Sequence, residues 1–502
     1  MKNAAVEIVP TALQDVLPCG WTLSTIQDLV GASGVFVDGD WVESKDQDPD
    51  GDVRLIQLAD IGDGEYRNKS ARFLTHEKAL ELGCTFLEKG DVLVARMPDP
   101  LGRACIFPGD SKKAVTVVDV AIVRSSGGEF NHLWLMYFIN SPAFRSAVAS
   151  LQGGSTRKRI SRKNLSKIAL PVPPFDQQKR IVAEIEKQFS RLDEAVANLK
   201  RVRANLKRYK AAVLKAAVEG RLVETEAELA RRAAQGSANV AGGRMPGATE
   251  GRSYENGEQL LQRILETRRS QWQGKRKYKE PAAPDTTDLP ELPEGWVWAT
   301  VEQLTWLVTS GSRGWGDYYS DEGVLFIRAQ DIKTDRLSVR GVARVEIPRG
   351  AEGTRSGVSF RDILITITGA NVTKSALVPE LGESAFVSQH VALLKLNFSE
   401  MAPFVFDWII SPSNGRKLLE SWAYGAGKPG LSLEQVRSLP VAIPPLDEQH
   451  RIVAEVDRRL SLLRETEAQV DANLQRAERL RQSILSRAFS GGLVSTDEEC
   501  AA

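Results

Sequence analysis

The chain has 502 residues, too long for one ordinary hydrophobic core; a prior of roughly 100–200 residues per domain suggests about three domains. Its 42% hydrophobic and 26% charged residues suit a globular protein, and no run of about 18 apolar residues is present to span a membrane. A net charge of +1 argues against a uniformly basic nucleic-acid binder. The opening segment, residues 1–16, lacks a basic-then-apolar leader pattern, so a cytoplasmic protein is expected. The cysteines Cys19, Cys84, Cys105 and Cys500 are scattered without metal-ligand or disulfide-framework spacing, which fits a reducing compartment.

Residues 17–172 read as a mixed globular part. It opens on LPCGW and continues in short β-rich runs, DVLVARM and AVTVVDVAIV, broken by Gly, Pro and Asp. A helical stretch, LWLMYFINSPAFRSAVASL, follows. Next comes GGSTRKRISRKNLSKI, Gly153 to Ile168, with six Lys/Arg and no acid. Such concentrated charge can steer a polyanion despite a neutral total, the alternative being a solvated face with no partner. Residues 173–223 read as a long helix. Pro173-Pro174 and then Asp176 mark its start, because proline suits the first turn and a carboxylate favours the N-terminal dipole. Val182, Phe189 and Val196 take one heptad position, and Ile185, Leu192, Leu199, Leu206 and Val213 the next. Arg203 and Lys210 fall on the first position, where the seam should weaken, and Gly220 marks the stop. Residues 224–290 are expected to be a linker carrying one amphipathic helix, NGEQLLQRILETRRSQW.

Residues 291–443 and 444–494 repeat this plan, and 495–502 form a short tail. Pro173-Pro174 corresponds to Pro444-Pro445 at an offset of 271. The same offset carries Asp176, Gln178 and Arg180 onto Asp447, Gln449 and Arg451, and Gly220 onto Gly491. It also carries VRLIQLADI onto VLFIRAQDI and Asp91 onto Asp362. The second helix keeps the seam at Val453, Leu460, Leu474 and at Val456, Leu463, Val470, Ala477, Ile484. The fold class expected is α+β: two mixed α/β domains in tandem, each followed by a long helix, the helices pairing as an antiparallel coiled coil. The alternative is two amphipathic helices, each packed on its own domain.

Catalytic readings fail on the residues. Base amino-methyltransferases place Asn, Asp or Ser before Pro-Pro and an aromatic after it; here Val172 and Ile443 lead, and Leu446 stands in the second aromatic slot. No GxxxxGK[ST] or GxGxxG loop follows a strand. The histidines His76, His132, His390 and His450 lack metal spacing. Asp331-Ile332-Lys333 resembles the D-x-K end of a nuclease site, but its counterpart, Asp60-Ile61-Gly62, has no lysine.

The paired LP-x-GW openings (Leu17–Trp21, Leu292–Trp296) and PP-x-x-x-Q-x-R-I helix starts (Pro173–Ile181, Pro444–Ile452) resemble the specificity subunits of type I restriction-modification systems. The resemblance implies two target recognition domains, each reading half of a bipartite asymmetric double-stranded DNA target. It implies a coiled coil with pseudo-twofold symmetry that sets the spacer. It implies two modification subunits supplying S-adenosylmethionine and adenine-N6 methylation, and restriction subunits using ATP and Mg. This chain would then be no enzyme, with no cofactor, metal or membrane of its own. A single-chain DNA methyltransferase, a related type II specificity subunit and a non-DNA coiled-coil scaffold are the alternatives.

Candidate DNA contacts rest on side-chain chemistry, since Arg can take guanine bidentately and Lys can hold phosphate. They are Arg96 at the end of DVLVARM and Arg103 after it; Thr156, Arg157, Lys158, Arg159 and Lys163 in the basic stretch; and Arg313 and Trp315 in SGSRGWGDYY. Asn371, Lys374, Gln389, His390 and Lys428 complete the set in the second copy. Gln178, Arg180, Gln449 and Arg451 are candidates for fixing the helix starts or a subunit interface.

Overall fold

The computed structural model describes residues 17–98, 100–128, 130–154, 157–240, 253–274, 277–311, 313–346, 353–425, 427 and 429–494. The chain divides into two compact units, one built from residues before 202 and after 469, the other from Val202–Gln469.

In the first unit, strands Val35–Asp38, Val120–Arg124, Val92–Ala95 and Ala104–Ile106 form an antiparallel sheet in that spatial order. A second sheet holds Phe73–Leu74, Val53–Ile56 and Lys113–Thr116, the last two parallel. Strand Thr22–Ser24 pairs antiparallel with Leu170–Val172, so the segment after LPCGW closes the domain beside the chain that enters the long helix. The second unit repeats this plan. Strands Thr305–Ser310, Val391–Leu396, Ile363–Thr366 and Ser375–Leu377 form its antiparallel sheet. Val324–Ile327 and Ala385–Val387 form its parallel pair, and Val297–Thr300 pairs with Pro440–Ile443. The strands Val92–Ala95 and Ile363–Thr366 are buried at every position, because each is central in its sheet and packed on both faces.

The long helices run Phe175–Val218 and Leu446–Phe489, 44 residues each, about 66 Å at ~1.5 Å per residue. Both begin directly after Pro-Pro and end two residues before a glycine of positive φ, Gly220 at +69° and Gly491 at +79°. In the first unit Ile181, Val182, Ile185 and Phe189, near one helix's start, share a core with Ile484, Leu485, Ala488 and Phe489, near the other's end. In the second unit Val213, Leu214, Ala217 and Val218 share a core with Ile452 and Val456. Between these packed ends, Leu192, Val196, Leu199 and Leu206 are only half-buried.

The expected one-helix linker needs correction. A further helix, Glu226–Val240, precedes Gly257–Ser270, and the latter buries Leu260, Leu261 and Ile264 in the core of the second unit. The last residues of the first helix, GSANV, belong to a Gly/Ala/Ser-rich stretch that reads as flexible linker, although EAELARRAAQ before them consists of strong helix formers. Cys84 and Cys105 are buried free thiols. Among the described residues no helix is long and apolar enough to cross a membrane.

Candidate nucleic-acid interface

The two motifs that recur in the sequence touch each other. The Trp21 indole N–H donates to Gln177 Oε1 at 3.0 Å, and the Trp296 indole N–H donates to Glu448 Oε1 at 2.9 Å. Burial raises the Glu448 carboxyl above the usual range, and the donors around it, the Glu226 N–H and the Trp296 indole, offset this. Proline in the same motif covers the end of the other helix. A Cβ on Gly491 would lie 2.4 Å from Pro18 Cγ, and one on Gly220 would lie 2.6 Å from Pro293 Cγ. Each LP-x-GW therefore clamps the start of the helix that follows its own domain to the end of the other helix. Beside it, Gln178 Nε2 donates to Pro173 O at 3.0 Å and its Oε1 accepts from the Asn131 N–H at 2.8 Å. Gln449 Nε2 repeats the first of these bonds to Pro444 O at 2.9 Å.

A second repeated constellation sits at one corner of each sheet. In the first copy the Ile160 N–H donates to Arg96 O at 3.0 Å, and the Arg96 N–H donates to Asp119 O at 2.8 Å. Gly153 and Arg159 exchange both backbone bonds, at 2.8 and 2.9 Å, and pinch off the loop between them. In the second copy the Leu431 N–H donates to Ile367 O, and the Ile367 N–H donates to His390 O, both at 2.9 Å. Tyr424 and Gly430 exchange the pinching bonds at 3.1 and 2.9 Å. Every partner obeys the offset of 271: 96 and 367, 119 and 390, 153 and 424, 159 and 430, 160 and 431. The repeat thus holds three sequence-distant segments together at an exposed corner. Residues 18–207 match the family described as the type I restriction modification DNA specificity domain.

Relatives extend the likeness along the chain. It is 26% identical over 361 residues to the type I restriction enzyme EcoBI specificity subunit of Escherichia coli, covering 70% of this chain and 64% of that one. It is 21% identical over 367 residues to the StySPI specificity subunit of Salmonella potsdam, covering 72% and 65%. The chain therefore spans just under two thirds of those relatives' length. A solved chain from work on the complex assembly and conformational transition of a type I R-M system has a TM-score of 0.64 at 16% identity. It covers 95% of this chain and 99% of that one, and the likeness is one of fold.

Around the corner of the first domain, Arg157, Lys158, Arg159 and Lys163 are exposed. Arg96 is half-buried: its Nη1 donates to Ile160 O at 3.4 Å, its Nη2 to Val118 O, and its Nε lies 3.3 Å from Asp38. Arg96 thus braces the corner. Arg103 corrects an expectation. It is 4% exposed, and its guanidinium donates to the carbonyls of Ile61, Met97, Pro100 and Leu58, which leaves it no face for DNA. Trp315 is corrected likewise: it is 8% exposed and stacks on Phe326 with ring centroids 5.1 Å apart. Arg313 is exposed. Asn371 and Lys374 bond each other, Nζ to Oδ1 at 2.7 Å, and Asn371 Nδ2 also donates to Ala329 O at 3.2 Å. Gln389 and His390 lie together at the second corner, Nε2 to Nε2 at 3.2 Å. Thr156 and Lys428 lie outside the described residues.

At the helix starts, Arg180 is exposed. Arg451 pairs with the buried Glu226, whose own N–H donates to Glu448 Oε2 at 2.9 Å. The reading of the sequence missed Gln177, Glu448 and Asp119 as site residues, and took Pro18 only as part of the LP-x-GW signature. The signal for Asp119 was present: the offset of 271 carries position 119 onto His390, itself a candidate for its side-chain chemistry. Among the described residues, no group of three or more His, Cys, Asp or Glu could hold a metal.

Proposed function

We propose that this chain is the DNA-recognition subunit of a type I restriction-modification complex acting in the cytoplasm. Each globular part reads one half of a bipartite, asymmetric duplex target. The long helices pair as an antiparallel coiled coil with pseudo-twofold symmetry, set the unread spacer and dock two modification subunits. Those subunits bring S-adenosylmethionine, and restriction subunits bring ATP and Mg. The chain itself contributes recognition and no catalytic group.

The observation that carries this reading is the duplicated corner, with the same hydrogen-bonded segments at the same offset. Two copies of one exposed loop cluster suit two half-sites. The opposed packing of helix starts and ends within each unit supports the coiled coil. A helix of about 66 Å exceeds the about 34–36 Å between half-sites one DNA turn apart. The test is single-molecule mapping of methyl-adenine in the host with and without the gene. Loss of methylation at one bipartite motif is expected; an unchanged methylome sinks the reading. The purified chain alone should transfer no methyl group, and transfer by it would favour a single-chain methyltransferase.

A further inference from the structure

Asp119 holds the place in the first copy that His390 holds in the second. Each main-chain carbonyl accepts from the equivalent N–H, Arg96 in one and Ile367 in the other. Carboxylate in one copy and imidazole in the other means that the turn does not demand either side chain. The Asp119 carboxylate makes no hydrogen bond or ion pair among the described residues. Arg96, its neighbour, spends its guanidinium on Val118 O, Ile160 O and Asp38. Beside Asp119 opens a cleft of about 380 Å³, walled by Asp40, Val117, Val118, Leu58 and Trp41. Trp41 is 70% exposed. The exposed cations Arg157, Lys158 and Arg159 lie on the loop hydrogen-bonded into the same corner.

An unpaired carboxylate on a phosphate-binding face is repelled by every phosphate it nears. It is tolerable there when it accepts a hydrogen bond from a base. In the major groove the donors are exocyclic amines, cytosine N4 and adenine N6. We propose that Asp119 is a base-reading residue of the first specificity domain, accepting a hydrogen bond from an exocyclic amine in the first half-site. The inference rests on the recognition reading above and assigns its chemistry at one base position. His390, a donor or acceptor by tautomer, then reads a different base from the equivalent place in the second half-site.

The test uses the full chain assembled with its modification subunits, scored by methylation of a library of randomised duplexes. Asp119→Asn and Asp119→Ala are compared with the unaltered chain. Both should lose about 5- to 150-fold discrimination at a single position of one half-site and leave the other half-site unchanged. The base preferred there by the unaltered complex, cytosine or adenine, identifies the amine. An unaltered complex with no sequence preference overturns the recognition reading itself. Intact preference in both variants, or a uniform loss across all sequences, overturns the role of Asp119 and leaves that reading standing.

Discussion

Asp91 and Asp362 are the same residue in two copies, and each is buried with a cation. Asp91 binds Arg124 Nε at 2.6 Å and Nη2 at 2.7 Å; Asp362 binds Lys395. Both also accept a main-chain N–H three residues back, Glu88 and Ser359. Burial raises the Asp362 carboxyl above its usual range even with Lys395 beside it. Lys395→Met should therefore destabilise the second unit by about 3 kcal/mol, the low end for a broken buried pair, because Asp362 can take up a proton. Urea unfolding at pH 7 checks this, and a smaller loss at pH 5 should accompany it. Asp407 gives a second pH effect. Burial first, then the like charge of Asp457 and of Asp335, push it up to about 8, with Lys210 opposing. The folded state then holds a proton that the unfolded state releases near pH 4. Stability must fall as pH rises from about 4 to about 8 and level off above that. Asp407→Asn should flatten this slope in melting curves taken across that window.

Helix ends carry the next scale. Gly220 and Gly491 sit at positive φ with a proline of LP-x-GW against the place a Cβ would take. Gly220→Ala should cost at least about 1 kcal/mol, from the left-handed backbone alone, and more from the 2.6 Å approach to Pro293 Cγ. Denaturant midpoints measure it, and Glu219→Ala is the control outside the contact. The helices themselves were legible in the sequence, since Pro-Pro, heptads and terminal glycine are local signals. Their partners were not. Trp21 and Gln177 are 156 residues apart, and nothing local says that an indole N–H will meet a glutamine. Arg103 and Trp315 show the converse error. Both lie in polar, glycine-containing runs that read as surface loops, yet four carbonyls converge on one and an aromatic ring on the other. The corner itself was partly legible, because the offset marked which loops correspond but not which main-chain bonds join them.

For the whole chain, the division into units crosses the order of the sequence. The first unit's core includes Ile484, Leu485, Ala488 and Phe489, and Phe489 meets both Trp134 and Phe138 edge-on at 6.2 and 5.1 Å. Truncation after Gln469 should therefore unfold the N-terminal domain and spare residues 202–469. Limited proteolysis should show cleavage within residues 17–172 while a fragment of the second unit persists. Charge acts at this scale too. Replacing Arg157, Lys158 and Arg159 together by Ala should weaken DNA binding by the complex. It should also reduce the slope of log affinity against log salt by up to about 2.7, at about 0.9 per phosphate contact, measured by fluorescence anisotropy.

That same borrowing of Phe489 reverses the usual order of events on the ribosome. Domains generally complete themselves from the N-terminus as the chain emerges, at about 5–20 residues per second. Here residues 202–469 hold everything their unit needs, while the earlier domain waits for the last turns of the second long helix. The first part made is the last part finished. For roughly the time taken to synthesise the rest of the chain, the apolar surface around Trp134 and Phe138 stays uncovered, so chaperone dependence should concentrate in the N-terminal domain.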